Sequence, residues 1–360
     1  MRRQLRWWIS AGANLLLTVI FMLIARNVPQ IYPLFYTRFS LGANRFLAGL
    51  FGWIPFPVWE PGLIVLVLGG LALLVRSIVV KRFPRFLARA AVTLSAMLFL
   101  FVALWGLNFF APGIGEEVGL EVGDYSAAQL KQALGYYAEE ASRWSTQVER
   151  DENGDLVLPP WKELSDGAVA SMRSLGERFS RFSDPAPRVK KLLFSDLFAY
   201  TGTTGIYVCL TGESGVSSAA HATTIPFTMC HELSHSLCFC REDEANFAGF
   251  LACCASDDPL FRYSGSYEAF QYCMSALQEQ DPNAAKTYWK LCSPELLHDC
   301  SAAAEHYRQY DSGVQTAAQH VNDAYLHTFD QDGVRSYGMV TDHLIAYYLS
   351  LSNETEEKNP

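Results

Sequence analysis

Apolar positions are spread unevenly along the chain. Near the amino terminus they form long runs: Trp7 to Ala25 is uncharged, Pro61 to Val80 is interrupted only by Arg76, and Ala90 to Phe110 is again uncharged. Each run has about the 20 residues that a helix needs to cross the hydrocarbon core of a bilayer. Three transmembrane helices are therefore expected, at about 7–26, 61–80 and 90–110. Arg76 can snorkel to an interface, and Trp7, Trp8 and Trp105 stand where interfacial aromatics belong. A fourth apolar stretch, Phe46 to Trp59, is short and contains Pro55 and Pro57, which suits a segment lying at the interface rather than crossing it. A cleaved leader is the rival reading of the first run, but no small-residue cleavage site follows Ala25 and two more runs come after it.

Beyond residue 110 the pattern changes to that of a water-facing fold. Ser126 followed by Gln129 predicts a capping box, and the spacing of Leu130, Tyr137 and Trp144 predicts the helix behind it. The stretch GDLVLPP (154–160) breaks that helix, and another is expected from Asp166 to Phe182, ended by SDPAP. Gly205 to Leu210 has the β-branched and aromatic content of a strand. From Thr223 to Ser350 helical spacing recurs, and the closing SNETEEKNP reads as a frayed polar tail. The expected fold is mainly α: a membrane domain over 1–110, then a mostly helical domain over 111–360 with a small β element.

Charge divides the chain at the same place. Residues 1–110 hold eleven Lys or Arg and one acid, Glu60, a balance of +10; the whole-chain −9 leaves −19 for the remainder. Arg2, Arg3 and Arg6 precede the first run, while Arg76, Lys81, Arg82, Arg85 and Arg89 cluster between the second and third, so these ends are expected on the cytoplasmic side. Three spans then put residues 111–360 outside the cytoplasm. Arg26, Arg38 and Arg45 in the first loop weaken this bias without reversing it. A strongly acidic second part argues against nucleic acid as a partner, since phosphate binding needs a basic patch. All nine cysteines lie in that part; an odd count leaves one unpaired in a monomer, no zinc-ribbon pair is present, and Cys253 and Cys254 read as small buried hydrophobes.

The candidate chemistry is concentrated in PFTMCHELSHSLCFCREDEANFAGFLACC (226–254). On a helix His231 and His235 project from one face a turn apart, where both imidazoles can reach one zinc ion (Zn2+). Glu232 can serve as general base toward a water on that ion. The bland reading is a surface helix with two solvated histidines. Against it stand the apolar neighbours Ile225, Phe227, Met229, Leu233, Leu237 and Phe239, because burying Glu232 with two imidazoles and no metal would be costly. Catalytic zinc takes a third protein ligand, which REDEANF can supply as Glu242, with Glu244 as the alternative. An unused carboxylate there suits the first turn of a helix. Glu242 with Ala245 and Asn246 resembles the ExxA[D/N] signature of gluzincin-type metallopeptidases, which implies that Glu242 binds zinc and Asn246 orients a ligand histidine. GIYVCLTGESGVSS (205–218) fits either an edge strand beside a peptide-binding cleft or a plain structural strand. Tyr263, Tyr267, His327, Tyr337 and His343 are possible transition-state donors, each otherwise a core aromatic or a surface histidine. His221 has no partner at metal-site spacing.

Three amino-terminal runs, then TGESG, PFTMCHELSH, REDEANF and FRYSGSYEAF, together resemble a family of uncharacterised bacterial membrane proteins, domain-of-unknown-function family 3810, over nearly the whole chain. That family looks like zinc metallopeptidases, so the resemblance implies zinc at His231 and His235 and catalysis through Glu232. Two departures stand out: Cys238 where a turn glycine is expected, and Val208 with Cys209 in place of Pro-Phe before TGE. A cysteine at 238 predicts a somewhat different turn there. The expected function is that of a membrane-anchored, zincin-like peptidase, working outside the cytoplasmic membrane on a peptide or protein substrate through a zinc-bound water activated by Glu232. The alternative is a non-catalytic relative of such enzymes that binds an envelope component or partner protein. HELSH lies more than a hundred residues beyond the last apolar run, so cleavage within the bilayer is not expected.

Overall fold

The computed structural model of the chain describes residues 2–35, 39–328 and 339–358; Arg38 and Tyr337 lie outside these. The chain divides into two compact units, Met1–Ala111 with Val208–Glu213, and Pro112–Tyr207 with Ser214–Pro360.

The first unit contains α1 (Arg2–Asn27), α2 (Tyr32–Phe35), α3 (Leu41–Phe51), α4 (Trp59–Val79) and α5 (Phe83–Leu104). Among the described residues, three helical segments are long and apolar enough to cross a membrane: Gln4–Asn27, Trp59–Val79 and Phe83–Phe110, with mean hydropathies of 2.0, 2.4 and 2.2. Residues such as Leu66, Leu68 and Val75 are exposed on α4, the inverse of a helix folded in water and what a lipid solvent requires. α1 packs along α5, where Asn14 Nδ2 donates to Ser95 Oγ at 3.1 Å and Phe21 meets Phe99 edge-on at 5.6 Å. Such polar contacts fix the rotation of apolar helices that have little else to distinguish their faces.

The third span begins at Phe83, ahead of its uncharged run, because Pro84 fits the first helical turn and Arg85 and Arg89 continue the helix; the Arg89 guanidinium lies 4.8 Å from the centre of the Trp7 ring. The stretch from Phe46 to Trp59 forms the end of the 11-residue α3 and a turn, too short to cross. Glu213 belongs to this unit, and its carboxylate accepts the N–H groups of Val58 at 2.9 Å and Trp59 at 3.3 Å. It thereby satisfies backbone donors that the start of α4 leaves open.

The second unit runs α6 (Ile114–Val118), α7 (Ala127–Ser145), α8 (Trp161–Arg178), β1 (Val189–Lys191), α9 (Ser195–Ala199), β2 (Gly205–Val208), β3 (Glu213–Val216), α10 (Ile225–Ser236), α11 (Glu242–Ala255), α12 (Pro259–Gln280), α13 (Pro282–Tyr288), α14 (Pro294–Arg308), α15 (Gly313–Thr328) and α16 (Val340–Lys358). The capping box at α7 forms as its sequence requires: Ser126 Oγ accepts from the Gln129 N–H, and Gln129 Oε1 from the Ser126 N–H. α8 starts at Trp161, directly after Pro160 and five residues ahead of the expected start at Asp166. α16 runs through most of the tail expected to fray.

The sheet has the order β1-β3-β2, with β1 parallel to β3 in the register Val189↔Ser214 and Lys191↔Val216. β1 is three residues, VKK, with no apolar alternation to announce it. β2 is left at an edge. α10 and α11 pack on each other and against both α8 and α12. All 12 residues of α10 are buried, which a helix without a polar face requires. The nine cysteines are free thiols, six of them buried.

Candidate metal centre

The site begins with the way α10 ends. Cys238 has φ 63°, and around it Cys238 N–H donates to His235 O at 2.9 Å while Phe239 N–H donates to Ser234 O at 3.2 Å. This pair of bonds is a Schellman motif with the left-handed position filled by cysteine instead of glycine. The different turn expected from Cys238 does not occur; the side chain is accommodated in the left-handed conformation. The motif folds the Phe239 carbonyl back onto α10, where His235 Nδ1 meets it at 2.6 Å. With Nδ1–H donating to that carbonyl, Nε2 keeps its lone pair for a ligand.

α11 then returns across α10. Gly249 allows the close approach, since a Cβ there would stand 3.1 Å from the His231 nitrogen. The first turn of α11 carries Glu242, Asp243 and Glu244, where the helix dipole favours carboxylates. Glu242 Oε2 lies 3.4 Å from His231 Nε2 and 3.8 Å from His235 Nε2. The two imidazole rings are 4.6 Å apart and nearly perpendicular. One donor atom from each of His231, His235 and Glu242 falls within 4.8 Å of the others, a group that could hold a metal ion.

Glu244 turns away from this group. Its Oε1 accepts from Ile114 N–H and from Arg241 Nη1, each at 3.2 Å. Of the two candidate third ligands, the structure therefore brings Glu242 to the histidines. Asn246 is buried, and its side chain acts on His231; the His231 Nδ1 and Asn246 Nδ2 atoms are both buried without a hydrogen-bond partner. Rotation of the Asn246 amide would offer Oδ1 to the imidazole N–H.

Electrostatics separate the four groups. Burial, with help from the neighbouring His231 charge, pushes His235 down to about 4, so it is neutral and ligand-ready at neutral pH. Burial opposes the charge on His231 too, but the hydrogen bond to Glu242 and the Glu232 and Glu242 charges outweigh it and raise that imidazole. Glu242 is held below the ordinary carboxylate value, because the His231 bond and the two imidazole charges outweigh its burial. Glu232 is the contrary case: burial lifts it to about 8, against the pull of His231. Its Oε2 is buried with no hydrogen-bond partner. Gly205, the first residue of edge strand β2, abuts it so closely that a Cβ would collide with the carboxylate. A clustered N, N, O donor set, one histidine tautomer fixed and buried polar atoms left unanswered together fit a divalent cation.

The other sequence candidates with described side chains have bonding partners outside the ligand group. Tyr263 donates its hydroxyl to Asp299, Tyr267 accepts from Gln271 Nε2 at 2.9 Å, and His343 packs on Phe247 with Nδ1 toward the Met339 carbonyl. His327 is placed only as part of α15. His221 bonds Thr223 Oγ1 at 2.8 Å and stacks edge-on with His306. Sequence reasoning passed over Gly205 and over Glu268 of α12, a half-buried carboxylate that burial lifts to about 7 while His231 pulls it down. An acid four residues after Ser264 in the otherwise core-facing FRYSGSYEAF was the available signal.

The chain belongs to the family described as "Protein of unknown function (DUF3810)", whose model matches residues 35–345. No curated protein and no solved structure matches it.

Proposed function

For this member of a family without an assigned activity, we propose a membrane-anchored metallopeptidase in which His231, His235 and Glu242 hold a zinc ion and Glu232 is the general base. The observation that carries the reading is the convergence of three ligand atoms beside a buried carboxyl whose Oε2 has no hydrogen-bond partner. When bound, zinc supplies the charge that acidifies water and polarises a carbonyl. Glu232 takes a proton from the water whose oxygen bonds to the scissile carbon, and returns it to the amine nitrogen as the C–N bond breaks. The Phe239 carbonyl keeps His235 in the required tautomer. Edge strand β2 offers backbone groups along which an extended peptide can lie, and Gly205 keeps its first residue clear of Glu232. Peptides are favoured over other hydrolysable substrates by that edge.

The three spans carry Arg and Lys at the ends named above, so we place the amino terminus in the cytoplasm and the site outside it. A membrane-impermeant label on an introduced carboxy-terminal tag tests this. Elemental analysis of the full-length protein in detergent tests the metal: about one zinc per chain is expected, lost in His231→Ala. Peptide hydrolysis that disappears in Glu232→Gln while zinc is retained supports catalysis. Wild-type behaviour of Glu232→Gln in cells would instead favour a binding role without chemistry.

A further inference from the structure

Glu268 is a charged group near the site that the proposed chemistry leaves unused. It stands on α12, and α12 is locked to the first turn of α10 by Ser264, whose Oγ accepts from the Phe227 N–H at 3.0 Å and donates to the Thr223 carbonyl. One turn further along both helices, Glu268 is four residues after Ser264 and His231 is four after Phe227. Residues four apart share a helix face, which puts Glu268 on the Ser264 face of α12 and His231 on the Phe227 face of α10, and the two interact electrostatically. The Glu268 charge also acts on the phenols of Tyr267 and Tyr307. The carboxylate thus lies within electrostatic reach of His231 and of both phenols. It is half-buried and makes no hydrogen bond or ion pair with any described residue.

A carboxylate partly withdrawn from water and left unpaired is costly unless a cation reaches it. None of the described Lys or Arg residues does so, and in the peptidase reading His231 is a neutral metal ligand. We propose that Glu268 forms a subsite for a cationic amine on the bound peptide, supplied by a free α-amino end or by a lysine side chain. This rests on the peptidase reading for the identity of the ligand, and it makes the site selective for bonds near a positive charge. A Glu268 that served only to balance the metal centre would have no such selectivity.

The test uses the full-length chain in detergent, in a Glu232→Gln background that binds without turnover. Three probes are titrated calorimetrically: tetra-alanine, N-acetyl-tetra-alanine, and N-acetyl-Ala-Lys-Ala-Ala. At least one amine-bearing probe should bind at least tenfold more tightly than N-acetyl-tetra-alanine, and Glu268→Gln should bring the difference within twofold. Preference for tetra-alanine assigns the α-amino end, and preference for the lysyl probe assigns the side chain. Equal binding of all three, no measurable binding of any, or an undiminished preference in Glu268→Gln overturns the subsite. So does loss of bound zinc in Glu268→Gln, which would place the residue in the metal centre. The Tm of Glu268→Gln should match or exceed that of its parent; a clear fall would reveal a structural partner and also overturn the proposal. A wild-type protein that discriminates the amine probes but cuts no peptide keeps the subsite and loses the peptidase reading.

Discussion

Two buried polar clusters lie within the second unit, and they are built on opposite terms. In the first, Arg150 grips Asp299 with two parallel bonds of 2.9 and 2.7 Å, and also donates to the carbonyls of Ser145 and Gly154. Tyr263 closes the cluster by donating to the same carboxylate, and its phenol is pushed well up by burial and by the Asp299 charge. In the second, Glu232 Oε2, His231 Nδ1 and Asn246 Nδ2 are buried with nothing to bond. A satisfied network rigidifies a core, whereas unanswered polar groups raise the free energy of the folded state. The first cluster therefore reads as architecture and the second as a receptor, although both contain acids and both join separate elements of the fold.

The largest contrast comes from removing one carboxylate from each. Glu232→Gln should lower peptide hydrolysis by about 10²- to 10⁴-fold, the usual range for a general base, without lowering stability. Steady-state kinetics beside a melting curve reads both. Asp299→Ala should do the reverse, costing roughly 3–5 kcal/mol because Arg150 remains buried without its partner, with activity per folded molecule retained. Denaturant titration together with active-site normalisation checks it. A large stability loss in Glu232→Gln, or a large catalytic loss in well-folded Asp299→Ala, would erase the distinction.

A pH experiment on metal-free protein sharpens the same comparison. Folding lifts the Glu232 carboxyl from 4.5 to about 8. Between those values the unfolded chain has released a proton that the folded chain keeps, so this group makes stability fall as pH rises. Glu232→Gln should remove that slope: its stability advantage should be on the order of a few kcal/mol at pH 8 and vanish near pH 4.5. His235, lowered by burial from 6.5 to about 4, works in the other direction, with stability lost as pH falls through that window, but it does so in both proteins and cancels in the difference. Thermal melts of both chelated proteins across pH 4.5–8 give the answer.

The sequence made the two clusters unequally visible. His231, Glu232 and His235 fall within five residues of one helix, so local periodicity alone puts the imidazoles side by side. Glu242 and Glu244 could not be ranked in the same way. Two residues apart on a helix they face nearly opposite sides, and the choice depends on how α11 is rotated. That rotation is set by tertiary contacts, Gly249 against the His231 backbone and Glu244 against Ile114. Gly205 on Glu232, Glu268 beside His231 and Arg150 on Asp299 likewise join segments distant in the chain, and no periodicity reports them. The membrane spans were legible for the opposite reason: lipid asks only for length and apolarity.

The smallest predicted effect concerns the turn that links the ligand histidine to its backbone acceptor. Cys238 holds φ 63°, a conformation that costs an L-residue with a Cβ about 1 kcal/mol or more and costs glycine almost nothing. Cys238→Ala and Cys238→Gly both remove the buried sulfur, so the stability difference between them isolates the backbone contribution. Glycine should be the more stable of the two by about 1 kcal/mol, measured by denaturant unfolding of the chelated protein. The His235 imidazole bonds the main-chain carbonyl of Phe239 and not the side chain at 238, so zinc affinity should be the same in both variants. A more stable alanine variant would mean that the chain leaves the left-handed conformation once the sulfur is gone. The Phe239 carbonyl would then no longer be held against His235, and the affinity for zinc should fall with it.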